Sequence, residues 1–231
     1  MAGRLLSLLR ERPGLIVSLP ANTPELARAA AEGGADALKV HLRVRHLASG
    51  THFGDLTAER PRLEEVLAVG LPTGIVPGAG DRLPAPEEMA TLGAMGFDFF
   101  DMFARDMPAW MLSLTDLTRV VAVDAQVGAE ALSALEAVGA EAIEAAVVPP
   151  EGYGQPLRAA DVATYRRLRE ATRLPIIVPT ERAVTPEEAL LLVGAAGVSA
   201  LMIGSIVTGR EAESVLAATR RYAAALAAAQ P

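Results

Sequence analysis

Apolar residues along this chain fall into short blocks of three to six. Each block gives way to a longer stretch in which Ala, Leu and Glu recur at helical spacing. The alternation occurs eight times. The blocks at residues 15–19, 37–41, 73–76, 97–101, 120–124, 143–148, 176–178 and 200–203 read as strands. Helices are expected over 24–32, 58–69, 86–95, 108–112, 128–138, 159–171, 186–195 and 211–228, with a short amphipathic helix before them at about 2–12. Thr23-Pro24-Glu25 and Thr185-Pro186-Glu187-Glu188 each place a capping hydroxyl, a first-turn proline and acids beside the positive helix end. Gly33-Gly34, Gly96, Gly139 and Gly197 precede strands, where glycine can close a helix in a left-handed turn.

Eight β/α units in 231 residues predict an α/β fold, a (β/α)8 TIM barrel forming one domain over residues 1–231. A doubly wound open sheet would have fewer strands and a glycine-rich nucleotide loop after the first. Here Leu19-Pro20-Ala21-Asn22 follows it instead.

Composition narrows the function. Aromatics make up 4% of the chain, so the core is aliphatic. There is no cysteine, which excludes disulfides, zinc–thiolate sites and thiol nucleophiles. A net charge of −7 with dispersed arginines argues against a nucleic-acid partner. No run approaches the roughly 18 apolar residues of a membrane span, and charges follow the first apolar stretch too soon for a signal peptide. A soluble cytoplasmic protein is expected, with no membrane partner and with pairing as a homodimer.

Lys39 is the only lysine among 21 cationic residues, and His41, His46 and His52 all lie within thirteen residues of it. Arginine stays protonated, whereas a buried lysine can lose its proton and histidine titrates near neutrality. In the second strand Leu38, Val40 and Leu42 share one face and Ala37, Lys39, His41 and Arg43 the other, so Lys39 and His41 are expected to point into the barrel, Lys39 deeper. An ion pair with Glu144 is the structural alternative for Lys39. Barrel sites form at the C-terminal strand ends. Asp101 and Asp124 close strands 4 and 5, Glu144 lies in strand 6, and Thr180, Glu181 and Arg182 follow strand 7. The long loop from 42 to 57 carries Arg43, Arg45, His46, Ser49, Thr51 and His52 and reads as a lid that holds an anion. A metal site from His46 and His52 fits no compact ligand spacing, so neither metal nor cofactor is expected. Gly204-Ser205 at the end of strand 8 would leave backbone N–H groups free for phosphate.

On these residues the chain resembles the phosphate-binding barrels, and most closely the N-acetylmannosamine-6-phosphate 2-epimerase family. The similar segments are Gly14-Leu15-Ile16-Val17-Ser18, Gly74-Ile75-Val76, Gly139-Ala140-Glu141 with Gly152-Tyr153, Arg182 with Thr185-Pro186, and Ile203-Gly204-Ser205 with Ile206 and Thr208. The resemblance implies acidic site positions at Asp101 and Asp124, a phosphate loop at Gly204 and Ser205, and an arginine at Arg182. The chain departs from it at Pro77, where the family has a catalytic lysine, and at Thr180, where it has an acid one residue before Glu181. Lys39 falls where the family tends to have arginine; it is the expected replacement for the missing lysine, with Glu181 or Glu144 as partner.

The resulting expectation is an isomerase or epimerase that moves a proton on a small phosphorylated sugar or related metabolite. Lys39, Asp124, Glu144 and Glu181 would be catalytic, and His41, Arg43, Asp101, Arg182, Gly204 and Ser205 would bind substrate. The alternatives are a Schiff-base aldolase-type lyase using Lys39 and a non-catalytic barrel that binds a phosphorylated ligand.

Overall fold

The computed structural model describes residues 3–228; residues 1, 2 and 229–231, at the two ends of the expected domain, lie outside it. Eight parallel strands close into a barrel in sequence order: β1 Gly14–Ser18, β2 Ala37–His41, β3 Thr73–Val76, β4 Phe99–Phe103, β5 Thr118–Val123, β6 Ala142–Ala145, β7 Ile176–Pro179 and β8 Ala200–Ile203, with β8 pairing back to β1. The helices are α1 Arg4–Glu11, α2 Pro24–Glu32, α3 Leu56–Leu67, α4 Pro86–Met95, α5 Ala129–Ala137, α6 Ala159–Glu170, α7 Pro186–Leu191, α8 Ser205–Thr208 and α9 Ala212–Ala228. This is the expected (β/α)8 architecture. Among the described residues no helix is long and apolar enough to cross a membrane.

Alternation along each strand sorts the side chains into two cores. The outward set, including Leu38, Val40, Ile75, Val121, Ile143 and Val178, packs under the helices. The inward set at the N-terminal end, Ile16, Ala37, Phe99, Val120, Ala142, Ile177 and Ala200, forms a smaller core. Helix α1 closes this end, driving Leu5, Leu6 and Leu9 into the same core. Gly74 makes that packing possible, because a Cβ there would lie 1.9 Å from the Phe99 ring. The barrel floor is therefore apolar and plugged, and the next layers toward the C-terminal end are free to carry polar groups.

Several elements differ from expectation. Strand β4 starts two residues late because Asp98 is used elsewhere: its carboxylate accepts from the N–H groups of Arg4 and Leu5 and caps α1. Asp101 consequently sits inside β4, 2% exposed, rather than at the mouth. Residues 146–148 lie beyond β6, and 109–113 form a 3-10 helix. The helix expected over 186–195 passes from α7 into a π turn at Leu192–Ala196, and residues 205–208 form a separate turn before α9. Thr185 makes the reciprocal capping box with Glu188, whereas the Thr23 side chain makes no cap bond. The loop after β2 ends at Asp55, which caps α3.

Candidate active site

The middle layer of the barrel interior holds a buried charge cluster. Lys39 Nζ on β2 donates to Asp101 Oδ2 on β4 at 3.0 Å and to Glu144 Oε2 on β6 at 2.9 Å. Inward alternation on three strands brings these residues together across the barrel. Burial would strip the proton from Lys39, but the two carboxylates outweigh it and raise its pKa. The acids divide. Burial and the neighbouring Glu144 push Asp101 well above the usual carboxylate range. Glu144 is held below that range because Lys39 and the hydrogen bonds from Asp101 and Lys39 outweigh its own burial. The two acids are thus pulled apart, Glu144 toward the carboxylate beside Lys39 and Asp101 toward the protonated form.

Glu181 lies just beyond β7 and is 7% exposed. Its Oε1 accepts from Tyr153 Oη at 2.7 Å and its Oε2 from the Val148 N–H at 3.0 Å. Burial pushes its pKa up to about 7, against the opposing pull of those two hydrogen bonds. A carboxyl group half-ionised near neutrality can both take and return a proton.

Above these groups a cavity of about 550 Å³ opens at the C-terminal end of the barrel, a size suited to a small metabolite. Lys39, His41, Asp101, Asp124, Glu144, Glu181 and Gly204 line it, as do Tyr153 and His46. Asp124 follows β5 directly; it is ion-paired with Arg105 and accepts from the Gln126 N–H at 2.9 Å. His41 is buried, stacked on Phe53 with ring centres 4.9 Å apart, and burial holds its pKa well below the ordinary value. Asn22 fixes the end of β2, donating to the His41 carbonyl at 2.7 Å and accepting its N–H at 3.2 Å.

Two expected anion-binding arginines stand elsewhere. Arg43 adopts a left-handed backbone at φ 58° and turns its guanidinium onto both oxygens of Glu88 and the Pro77 carbonyl. Arg182 is ion-paired with Asp161 at 3.0 Å and donates to the Gly152 carbonyl at 3.1 Å. Neither lines the cavity. Arg182 instead braces the turn that carries Tyr153. At the end of β8, the Gly204 N–H donates to Thr180 Oγ1 at 3.1 Å, so it is already committed. Ser205, expected to bind substrate, opens α8 but does not line the cavity, and its Oγ is sealed from solvent with no partner among the described residues. His52 is not part of the cavity wall, and no three metal-ligating side chains converge among the described residues.

Tyr153 is the residue that chain reading did not single out as a site residue. Its partner Glu181 is 28 positions away, and nothing local marks the pair.

No family model matches the chain, and no curated protein does. Solved structures do. A Mycobacterium tuberculosis tryptophan synthase chain is similar with a TM-score of 0.74 at 16% identity, covering 98% of this chain and 99% of that one. A mutant tryptophan synthase alpha-subunit from Pyrococcus furiosus gives 0.66 at 17% identity, over 90% of this chain and 97% of that one. The native structure of KDPGal gives 0.61 at 17% identity, over 93% and 95%. The shared feature is the TIM barrel. At this identity the likeness concerns the fold, and function has to be argued from the site.

Proposed function

We propose that the protein is a proton-transfer enzyme of the isomerase or epimerase class, acting beside a carbonyl group of a small phosphorylated metabolite. The observation that carries this reading is Glu181, a cavity carboxyl group with its pKa raised to about 7. Glu181 as carboxylate takes the proton from carbon, and the electron pair of that C–H bond moves onto the carbonyl oxygen. The carboxylic acid then returns the proton to the neighbouring carbon, with a hydroxyl proton passing to the enolate oxygen, or, once the planar enolate has turned its other face to Glu181, to the same carbon with inversion. Lys39 remains an ammonium, a fixed positive charge that favours the developing enolate. Asp124 and Arg105 form a polar edge for substrate hydroxyls. The cavity edge at Gly204 and Ile206, where α8 begins, is the phosphate position in this reading.

The test is proton NMR in heavy water with N-acetylmannosamine 6-phosphate and a panel of phosphorylated aldoses and ketoses. Loss of a signal beside the carbonyl, with isomer formation, is expected for one of them. Folded protein that exchanges no carbon-bound proton in the whole panel overturns the reading.

An aldol-type cleavage is the second reading, since it passes through the same enolate. Lyase and aldolase chains among the similar folds favour it. In its Schiff-base form Lys39 must first become neutral, and Asp101 and Glu144 oppose that. Borohydride with the substrate found above is therefore expected to leave Lys39 unmodified. A reduced adduct on Lys39 would establish the imine lyase instead.

A further inference from the structure

We propose that His46 is a further catalytic residue, a neutral imidazole on the loop over the barrel mouth that donates its Nε2–H to the carbonyl oxygen of the substrate. The inference rests on the proton-transfer reading above and names the group that receives the oxyanion when Glu181 takes the proton.

The loop is built to hold this ring. Arg43 N–H donates to the Gly54 carbonyl, His46 N–H to Thr51 and Phe53 N–H to Val44, at 2.8, 2.8 and 2.9 Å, so residues 43–54 fold back as a small hairpin over the cavity. The ring of His46 packs at 4.6 Å from His41 and edge-on to Phe53 at 6.4 Å. It forms part of the cavity wall. The charged groups that act on it are Lys39 and Glu144, the same cluster that would face the reacting carbonyl.

The hydrogen bonds of one ring nitrogen determine the role of the other. His46 Nδ1 lies 2.8 Å from Ser49 Oγ and accepts from the Ser49 N–H at 3.3 Å. A backbone N–H can only donate, so Nδ1 presents its lone pair and the neutral ring carries its proton on Nε2. Ser49 is itself buried and 3.0 Å from Thr51 Oγ1, which fixes its position. Nε2 has no protein partner among the described residues, and it is not among the sealed-off polar atoms. Nε2 is therefore a solvent-accessible donor, free of protein partners among the described residues, on a residue of the cavity wall.

Burial, with the Lys39 charge, lowers the pKa of His46 to about 4. The ring is neutral throughout the range in which Glu181 ionises, so an ionised base and a neutral donor coexist at neutral pH. A neutral imidazole suits an oxyanion that forms and disappears within one turnover, and other isomerase sites use one in this way. The step balances without any further reactant. The carbon-bound proton goes to Glu181, the electron pair goes to the carbonyl oxygen, and His46 keeps its proton while hydrogen-bonding that oxygen.

Two measurements test the proposal. Nitrogen-15 NMR of the whole protein reads the ring directly. The expected result is a pyridine-type Nδ1 and a pyrrole-type Nε2, unchanged between about pH 5.5 and 8.5. The opposite tautomer, or a ring that titrates inside that range, overturns the proposal whatever the activity. The second measurement is proton exchange with the substrate identified for the wild type. Loss of one oxyanion donor predicts a fall of about 10²–10³-fold in His46→Ala. His46→Gln, whose amide nitrogen can stand in for Nε2, should retain at least about tenfold more exchange than His46→Asn, whose amide stands in for Nδ1. Full exchange in His46→Ala overturns the role of His46 and leaves the proton-transfer reading intact. A wild type inert towards the whole panel overturns both.

Discussion

Lys39 Nζ stands 2.9 Å from Glu144 Oε2 inside the barrel, and both side chains are almost sealed from solvent. A pair in this position adds little net stability while intact, yet breaking it is costly because a charge is stranded in apolar surroundings. Lys39→Met is expected to destabilise the fold by about 3–5 kcal/mol. Adding Glu144→Gln removes the stranded charge and should recover about 1–3 kcal/mol of that loss. Urea unfolding of the two single variants and the double variant measures the coupling. Strict additivity would mean that the contact carries none.

Glu181 contributes to stability with the opposite sign. Its folded pKa of about 7 lies above its ordinary value of 4.5. Between those values the folded state binds more protons than the unfolded state, so stability falls as pH rises through the window. Above it the full penalty applies, roughly 3 kcal/mol at about 1.4 kcal/mol per pKa unit. Glu181→Gln is expected to be more stable than wild type by up to about 3 kcal/mol near pH 8 and equal to it near pH 4. It should also abolish proton exchange. Equal stability at both pH values would show that burial does not strain this carboxyl group.

Much of this architecture is legible in the chain because a barrel repeats one local pattern. Eight apolar blocks separated by helices leave few other closures, and alternation in the second strand is enough to turn Lys39 and His41 inward. The ion pair of Lys39 with Glu144 is legible as the structural alternative, whereas Asp101 as its second partner is not. Asp101 and Glu144 are 62 and 105 residues away from it, and only the closure of the sheet brings them together. Asp101 reads as a mouth residue because Phe97 and Asp98 look like the start of its strand. Asp98 is drawn off by α1, some 94 positions earlier. Arg43 and Arg182 read as anion ligands for a similar reason. Their actual partners, Glu88 and Asp161, belong to helices α4 and α6, and a charge at a strand end carries no record of such a partner.

Gly74 shows a constraint of shape rather than charge. A methyl group there would meet Phe99 Cε2 at 1.9 Å and Cζ at 2.1 Å. Phe99 is 1% exposed and shares its buried cluster with Val120, Ala142 and the α1 leucines, so displacing its ring disturbs close packing. Gly74→Ala is expected to cost about 1–3 kcal/mol or more by overpacking. Phe99→Leu in the same chain should restore much of the loss by vacating the ring volume. Thermal unfolding compares them, and an unaffected Gly74→Ala would mean that the floor of the barrel is loosely packed.

Tyr153 and Glu181 supply the test closest to the chemistry. The phenol donates to one carboxylate oxygen at 2.7 Å, and this bond favours the ionised form of Glu181. Tyr153→Phe removes the donor and leaves the ring. A hydrogen bond to a charged group contributes about 1.5–3 kcal/mol, so the pKa of Glu181 should climb by about one unit or more. With Glu181 as the base of the proposed reaction, exchange is expected to rise with pH as it ionises. In the wild type that rise is expected to be centred near pH 7, the pKa of Glu181. In Tyr153→Phe it should move to about pH 8 or above, with a similar plateau once the carboxylate has formed. Rates measured across this range separate positioning from proton donation. An unmoved midpoint would mean that the phenol does not set the basicity of Glu181. A collapsed plateau would mean that Tyr153 itself moves a proton in the reaction.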